Sequence, residues 1–345
     1  MADTTPTLEE WRRLYAAAAR VKELAPWTWM MEDDIFGVQN PETDEIGFVS
    51  VMGNLGEHLA VALYPGAAAL YKFLELEEDA EDEVEPQRLL EIPQLQASFE
   101  DREQLEKKDR DVIKQLGLKF RGAQAWPQFR SYEPGFFPWY LTGAEARFLA
   151  CALEQVPEVA ARFNDDDSLL WPEGENVLLV RAAREDNGGL VWEDKVVSVP
   201  PPEPEIIPLK MDLQALERLK QMPHSDREVE IDLILLPTPV GEKNERPFFP
   251  YLLMIVDGQS RMIVGNEMLK AQPSLEAMWG MVPVKVVHTL AQLGSVPGLV
   301  RVRSELLVGL LQQVSVEVGF QLKQSRALPA MDQVLDYMMQ MTPFG

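Results

Sequence analysis

The stretch that most constrains this chain is Tyr251–Leu269, YLLMIVDGQSRMIVGNEML. Two apolar runs flank a short polar turn, and Asp257 ends the first run. Apolar runs of this length around a Gly-containing polar turn predict a β-hairpin with a carboxylate at its lip. What the chain does then turns on whether Asp257 has partners.

The 345 residues are 46% hydrophobic, enough for about two domains with a core each. The N-terminus lacks a basic stretch followed by an apolar one, and no run of about 18 apolar residues occurs. We therefore expect no secretory signal, no membrane span and a cytoplasmic location. One cysteine, Cys151, allows no internal disulfide and no Cys-based zinc site. His58, His224 and His288 lie far apart in sequence, so no metal site and no cofactor is expected. Net charge is −24, with −20 in residues 1–199 and −4 in 200–345. Such acidity argues against nucleic acid, whose phosphates need a basic footprint, and favours solubility or a basic protein partner.

Along the chain, Thr7-x-x-Glu10 is a capping box that opens a helix with Leu8, Trp11, Tyr15, Ala18 and Val21 at helical spacing. A β-meander follows, with strands predicted at 34–39, 46–52 and 58–64. The Gly53…Gly56 turn lacks the Lys-Ser/Thr of a phosphate-binding loop. Residues 75–85, ELEEDAEDEVE, carry eight acids in eleven positions and predict a solvated surface loop. Residues 98–116 predict a charged helix closed by Gly117. Residues 119–141 interleave aromatics with Arg121 and Arg130, and their five prolines and glycines predict an irregular segment pinned by its rings. Thr142-x-x-Glu145 caps a second helix, whose last turn Pro157 is expected to break. Cys151, among apolar neighbours, is expected to be a buried inert thiol. A hairpin is expected at 176–199. Pro200–Glu205, PPPEPE, is the clearest punctuation and reads as a linker. The expected organisation is an α+β N-terminal domain over 1–199, a Pro-rich linker over 200–208, and an α/β C-terminal domain over 209–345.

In the C-terminal part, the order β-β-β-α-β-α-β-α resembles the layout of the ribonuclease H-like superfamily. VDGQSRMIVGNEML resembles the opening of a transposase or integrase core, in which an Asp leads through a Ser-Arg turn into an Ile-Val-Gly strand. The resemblance covers roughly residues 228–341 and implies a mixed sheet with helices on both faces. Two-metal phosphodiester cleavage needs carboxylates converging on ions about 4 Å apart. Asp257 matches the first acid of the pattern. The second should end strand 299–302, where this chain has Arg301-Val302-Arg303-Ser304. Glu305 follows in a helix first turn, where acids are common, and Asp332 or Asp336 would stand for the third.

Longer stretches resemble two families of unknown function. DIFGVQNPETDEIGFVSVMGNLGEHLAVALYPG, with SFEDREQL and GLKFRGAQAWPQFRSYEPGFFPW, is similar to one bacterial domain family. YLLMIVDGQSRMIVGNEML, with PSLEAMWGMVPVKVVHTLAQLG and VRVRSELLVGLLQ, is similar to a second, its usual C-terminal companion. Some members carry a Cys-rich zinc module, which a single cysteine cannot form. The resemblance implies a two-domain bacterial cytoplasmic protein and no activity. Three readings follow. One is a non-enzymatic binding or regulatory protein with a degenerate ribonuclease H-like domain. Another is a divalent-metal phosphodiesterase using Asp257, Glu305 and Asp332. The third is small-molecule binding in the N-terminal domain by His58, Trp126, Arg130 and Trp139.

Overall fold

The computed structural model describes residues 5–78, 90–186, 189–203, 206–242 and 245–341. Most of the acidic stretch, residues 79–85, and Pro204 and Glu205 of the linker lie outside the described residues. The chain divides into two compact units. One comprises Met1–Glu133 and Pro138–Pro204, the other Pro134–Phe137 and Glu205–Gly345. No helix among the described residues is long and apolar enough to cross a membrane. Both units combine a mixed sheet with helices.

The first unit begins with α1, Leu8–Leu24. Its capping box is closed both ways: Thr7 N–H donates to Glu10 at 2.6 Å, and Glu10 N–H donates to Thr7 Oγ1 at 3.3 Å. Trp11, Leu14, Tyr15, Ala18 and Val21 are buried, so the helical spacing is the spacing of the buried face. Strands β1 (Phe36–Gln39), β2 (Ile46–Met52) and β3 (Ala60–Pro65) form the expected meander. Helix α2, Gly66–Glu78, follows. Two further strands extend the meander: β4, Gln94–Glu100, and β5, Trp126–Tyr132. Residues 98–100 are therefore strand, and the charged helix is shorter, α3, Lys107–Gln115. The pattern of β4 misleads because its polar face is buried: Gln94, Gln96 and Ser98 are each under 10% exposed. Gln96 Oε1 accepts a bond from the Tyr132 hydroxyl at 2.9 Å on the neighbouring strand. The aromatic segment is likewise ordered at its centre, residues 126–132 being β5 paired along β4.

Helix α4 spans Gly143–Asp165 and runs straight through Pro157. A proline inside a helix costs about 3 kcal/mol. Burying Val156, Val159, Ala160 and Phe163 outweighs that, at roughly 1.5–3 kcal/mol for each large apolar side chain. Strands β6 (Val177–Asp186) and β7 (Gly189–Ser198) complete a sheet in the order β5-β4-β3-β2-β1-β6-β7. The β1–β6 pairing is parallel, the rest antiparallel. Helices α1 and α4 pack with one apolar face of the sheet, and α2 with the other. Gly47 on β2 makes room for α4: a Cβ there would sit 2.6 Å from Leu63 and 2.7 Å from Phe148.

The second unit starts with α5, Leu213–Lys220, capped by Asp212. Its sheet comprises β8 (Glu228–Leu235), β9 (Tyr251–Asp257), β10 (Ile263–Leu269), β11 (Leu299–Val302) and β12 (Gln321–Gln324). The spatial order is β10-β9-β8-β11-β12. Strands β8, β11 and β12 are mutually parallel, and β9 is antiparallel to both its neighbours. The helices are α6 (Leu275–Trp279), α7 (Val282–Gln292), α8 (Glu305–Val318) and α9 (Pro329–Met341). Alternate residues Leu252, Met254 and Val256 of β9 meet Leu328, Ala330 and Met331 at the start of α9. Residues 134–137 belong to this unit: Phe137 N–H donates to Pro247 carbonyl at 2.9 Å, and Phe136 bridges Phe248.

Replacing Gly47 by Val drives a branched side chain into Leu63 and Phe148. The expected loss is about 1–3 kcal/mol, read as a lower urea midpoint with an unchanged slope.

Candidate functional site

In open sheets with parallel strands, ligands gather outside the carboxyl ends of the strands, where the strand order reverses. Here the chain lays β9 and β10 on one side of β8, then returns to place β11 and β12 on the other. The reversal point is thus the pair of carboxyl ends of β8 and β11. Asp232, on β8 one residue past the pairing with the last residue of β11, is 6% exposed, although a free carboxylate belongs in water. Arg303 follows β11 directly, and its Nε donates to Asp232 Oδ2 at 2.8 Å. Its Nη2 donates to Asp332 Oδ1 on α9 at 2.6 Å, and its Nη1 to the Arg326 carbonyl at 2.8 Å. Glu230, two residues before Asp232 and on the same face, is 2% exposed. It accepts the Met331 N–H at 2.7 Å, an anion seated at the first turn of α9.

The electrostatics of this cluster are internally matched. Burial works against the Arg303 charge, and its bonds to Asp232 and Asp332 more than reverse that, holding the guanidinium above its ordinary value. Burial pushes the Glu230 carboxyl up, only partly offset by the N–H groups of Met331 and Ala330. The arrangement is a guanidinium held between two carboxylates.

Asp257 is placed elsewhere. It pairs with Val229, three residues from Asp232 along β8, a separation of roughly 10 Å. Val256 faces α9, so strand alternation points Asp257 to the opposite face of the sheet. Its Oδ1 accepts Ser260 N–H at 2.8 Å, Ser260 Oγ at 2.9 Å and Gln259 N–H at 3.1 Å. Arg227 Nε lies 3.2 Å from its other oxygen. The Ser260 N–H bond is the largest influence on this carboxyl. Burial opposes it, and the Ser260 hydroxyl, Gln259 N–H and Arg227 help to hold it below 3.8. Glu305 is exposed in the first turn of α8, which Ser304 caps by accepting Leu307 N–H at 3.2 Å. Among the described residues no group of three His, Cys, Asp or Glu side chains is placed to hold a metal ion.

The N-terminal candidates are held by structural bonds. Arg130 is 6% exposed and donates to both oxygens of Asp109, at 2.9 and 2.7 Å. Its guanidinium lies 4.8 Å from the Tyr140 ring centre. Trp139 meets Tyr140 edge-on at 5.1 Å, with Lys108 over both rings. Trp126 packs edge-on to Phe120 at 5.8 Å. His58 is exposed next to the Gly53–Gly56 turn and acts on the Glu32 carboxyl, which burial pushes up. Cys151 is buried, with Arg13 Nη2 3.2 Å from its sulfur, and burial pushes its thiol up.

Sequence reasoning missed Asp232 and Glu230. The alternation of EVEID in β8 was the available signal, since it sets three acids on one face of a strand. It also missed a pairing in the second unit. His288 Nε2 lies 2.9 Å from Asp212 Oδ2, and the two line a cleft of about 410 Å³ with Arg218, Met222 and Gln292. Asp212 and His288 are 76 residues apart, and no spacing rule connects them.

Arg130→Met leaves Asp109 buried and unpaired. The expected cost is about 3–5 kcal/mol by chemical denaturation, most of it recovered when Asp109→Leu is added. Asp257→Ala is expected to cost about 1 kcal/mol near neutral pH, as for loss of a side-chain cap. Because the folded carboxyl lies below 3.8, its contribution is present above that value and lost as pH falls through the folded value. The variant's stability–pH curve should therefore fall less steeply in acid than that of the parent.

Two family models match the chain. Residues 11–181 match one described as Domain of unknown function (DUF7309). Residues 215–339 match one described as Domain of unknown function (DUF6930). No curated protein matches the sequence. The chain thus carries two domains of unknown function in tandem.

Proposed function

We propose that this is a non-enzymatic binding or regulatory protein whose second unit keeps a ribonuclease H-like fold without metal chemistry. The fold reading is supported by the strand order, which is 3-2-1-4-5 in unit numbering, with only the second strand reversed. The observation that carries the functional reading is Arg303 between Asp232 and Asp332. Two-metal cleavage requires carboxylates free to bridge cations. Here a permanent cation on the chain itself already spans the two acids, and a divalent ion would have to displace it against like charge. A bacterial cytoplasmic setting goes with this reading. So does a basic protein partner, because a chain of net charge −24 attracts positive surfaces and repels phosphate backbones.

The test is direct. With Mg²⁺ or Mn²⁺ in excess, the protein should leave single- and double-stranded DNA and RNA intact, and its Tm should not rise. Metal-dependent hydrolysis that Asp232→Asn abolishes, or a Tm rise that Asp332→Asn removes, overturns the reading.

A further inference from the structure

Strand β7 ends the seven-stranded sheet of the first unit, and no described strand lies beyond it. It is ten residues long and contains no proline. Leu190 and Val191 are each 41% exposed and Val196 60%. A long, uncovered edge strand with exposed apolar residues on either side of its charged centre is a template for another strand, and natural sheets rarely leave one bare.

The direction of its backbone groups follows from its neighbour. Val199 N–H bonds inward to Asn176, and Ala183, which pairs with Trp192, sends its own N–H away from β7 to Gln39. Antiparallel ladders alternate, so the even residues from Leu190 to Ser198 direct N–H and C=O outward. An occupant must match those groups and the side chains between them.

We propose that the occupant is β7 of a second copy, running antiparallel about a twofold axis through Asp194. This register brings even residues opposite even residues, so outward groups meet outward groups in up to about ten hydrogen bonds. It places Trp192 opposite Val196 and Val191 opposite Val197. It also places Glu193 of each copy opposite Lys195 of the other. Within one chain these two already meet, Lys195 Nζ to Glu193 Oε1 at 3.1 Å, on one face of the strand. Two strands crossing here would form a square of alternating charge. Moving the axis by one residue sets Glu193 against Glu193 or Lys195 against Lys195, so charge selects the register. Asp194 would face its own copy, but its charge is already shared. Arg162 Nη1 and Arg181 Nη1 each lie 2.5 Å from its oxygens.

Sedimentation velocity on the full chain, at near-physiological salt and across the micromolar range, reads the association. The parent should show a concentration-dependent species of twice the chain mass. Lys195→Glu sets like charges opposite twice and should weaken the dimer about tenfold or more. The exchanged pair, Glu193→Lys with Lys195→Glu, should restore it to within about threefold. Val196→Pro removes one outward N–H and should give a monomer with the parent's circular dichroism. A parent that stays monomeric overturns the proposal. So does a dimer indifferent to Lys195→Glu, or an exchanged pair no better than the single variant.

Discussion

The guanidinium of Arg303 joins three places in the second unit: β8 through Asp232, the start of α9 through Asp332, and the β12–α9 loop through the Arg326 carbonyl. Much of that unit's arrangement depends on it. Without this cation, Asp232 would be a buried carboxylate with no counter-ion, and Asp332 would lose its hold on the sheet. The same contact orients α9, whose apolar residues then cover Leu252, Met254 and Val256. A charged cluster at the reversal of strand order is thus the fastening of the last helix.

A related economy runs through the first unit. It holds most of the chain's excess acid, and Arg130, Arg147 and Arg181 sit where each meets two carboxylates. Arg147 joins Glu10 of α1 to Glu42 of the β1–β2 turn, at 2.5 and 2.6 Å. Arg181, 6% exposed by its side chain, joins Glu158 of α4 to Asp194 of β7. Scarce cations bridging elements, rather than pairing within one, convert local repulsion into cross-links between helices and sheet. Exposed pairs of this kind contribute little singly, and their weight lies in the buried members such as Arg130 and Arg181.

What could be read from the sequence was local. Thr7 and Thr142 each announced a helix start, because a cap is a contact across three residues. The β9–β10 hairpin was legible for the same reason. Strand β4 was not, since its buried Gln94 and Gln96 imitate a surface pattern whose partners lie on other strands. Pro157 misled because the penalty at one residue is visible in sequence and the burial that outweighs it is not. The parallel pairing of β1 with β6 spans more than a hundred residues and leaves no local mark. At the candidate site, the departure at Arg303 was readable, but its true partner was Asp232 on the neighbouring strand. Asp257, the acid of the hairpin lip, belongs to a turn on the far face.

The excursion of residues 134–137 gives the chain an unusual order of construction. These four residues are laid into the second unit some seventy positions before the rest of it is made. The stretch from Pro138 to Pro204 then returns to the first unit. The second unit is therefore complete only when residues 134–137, made within the span of the first, have joined it. Cutting the chain at its proline run would yield a fragment lacking the backbone that pairs with Pro247 and Phe248. The two units are interleaved along the sequence, and no single cut separates the residues of one from those of the other.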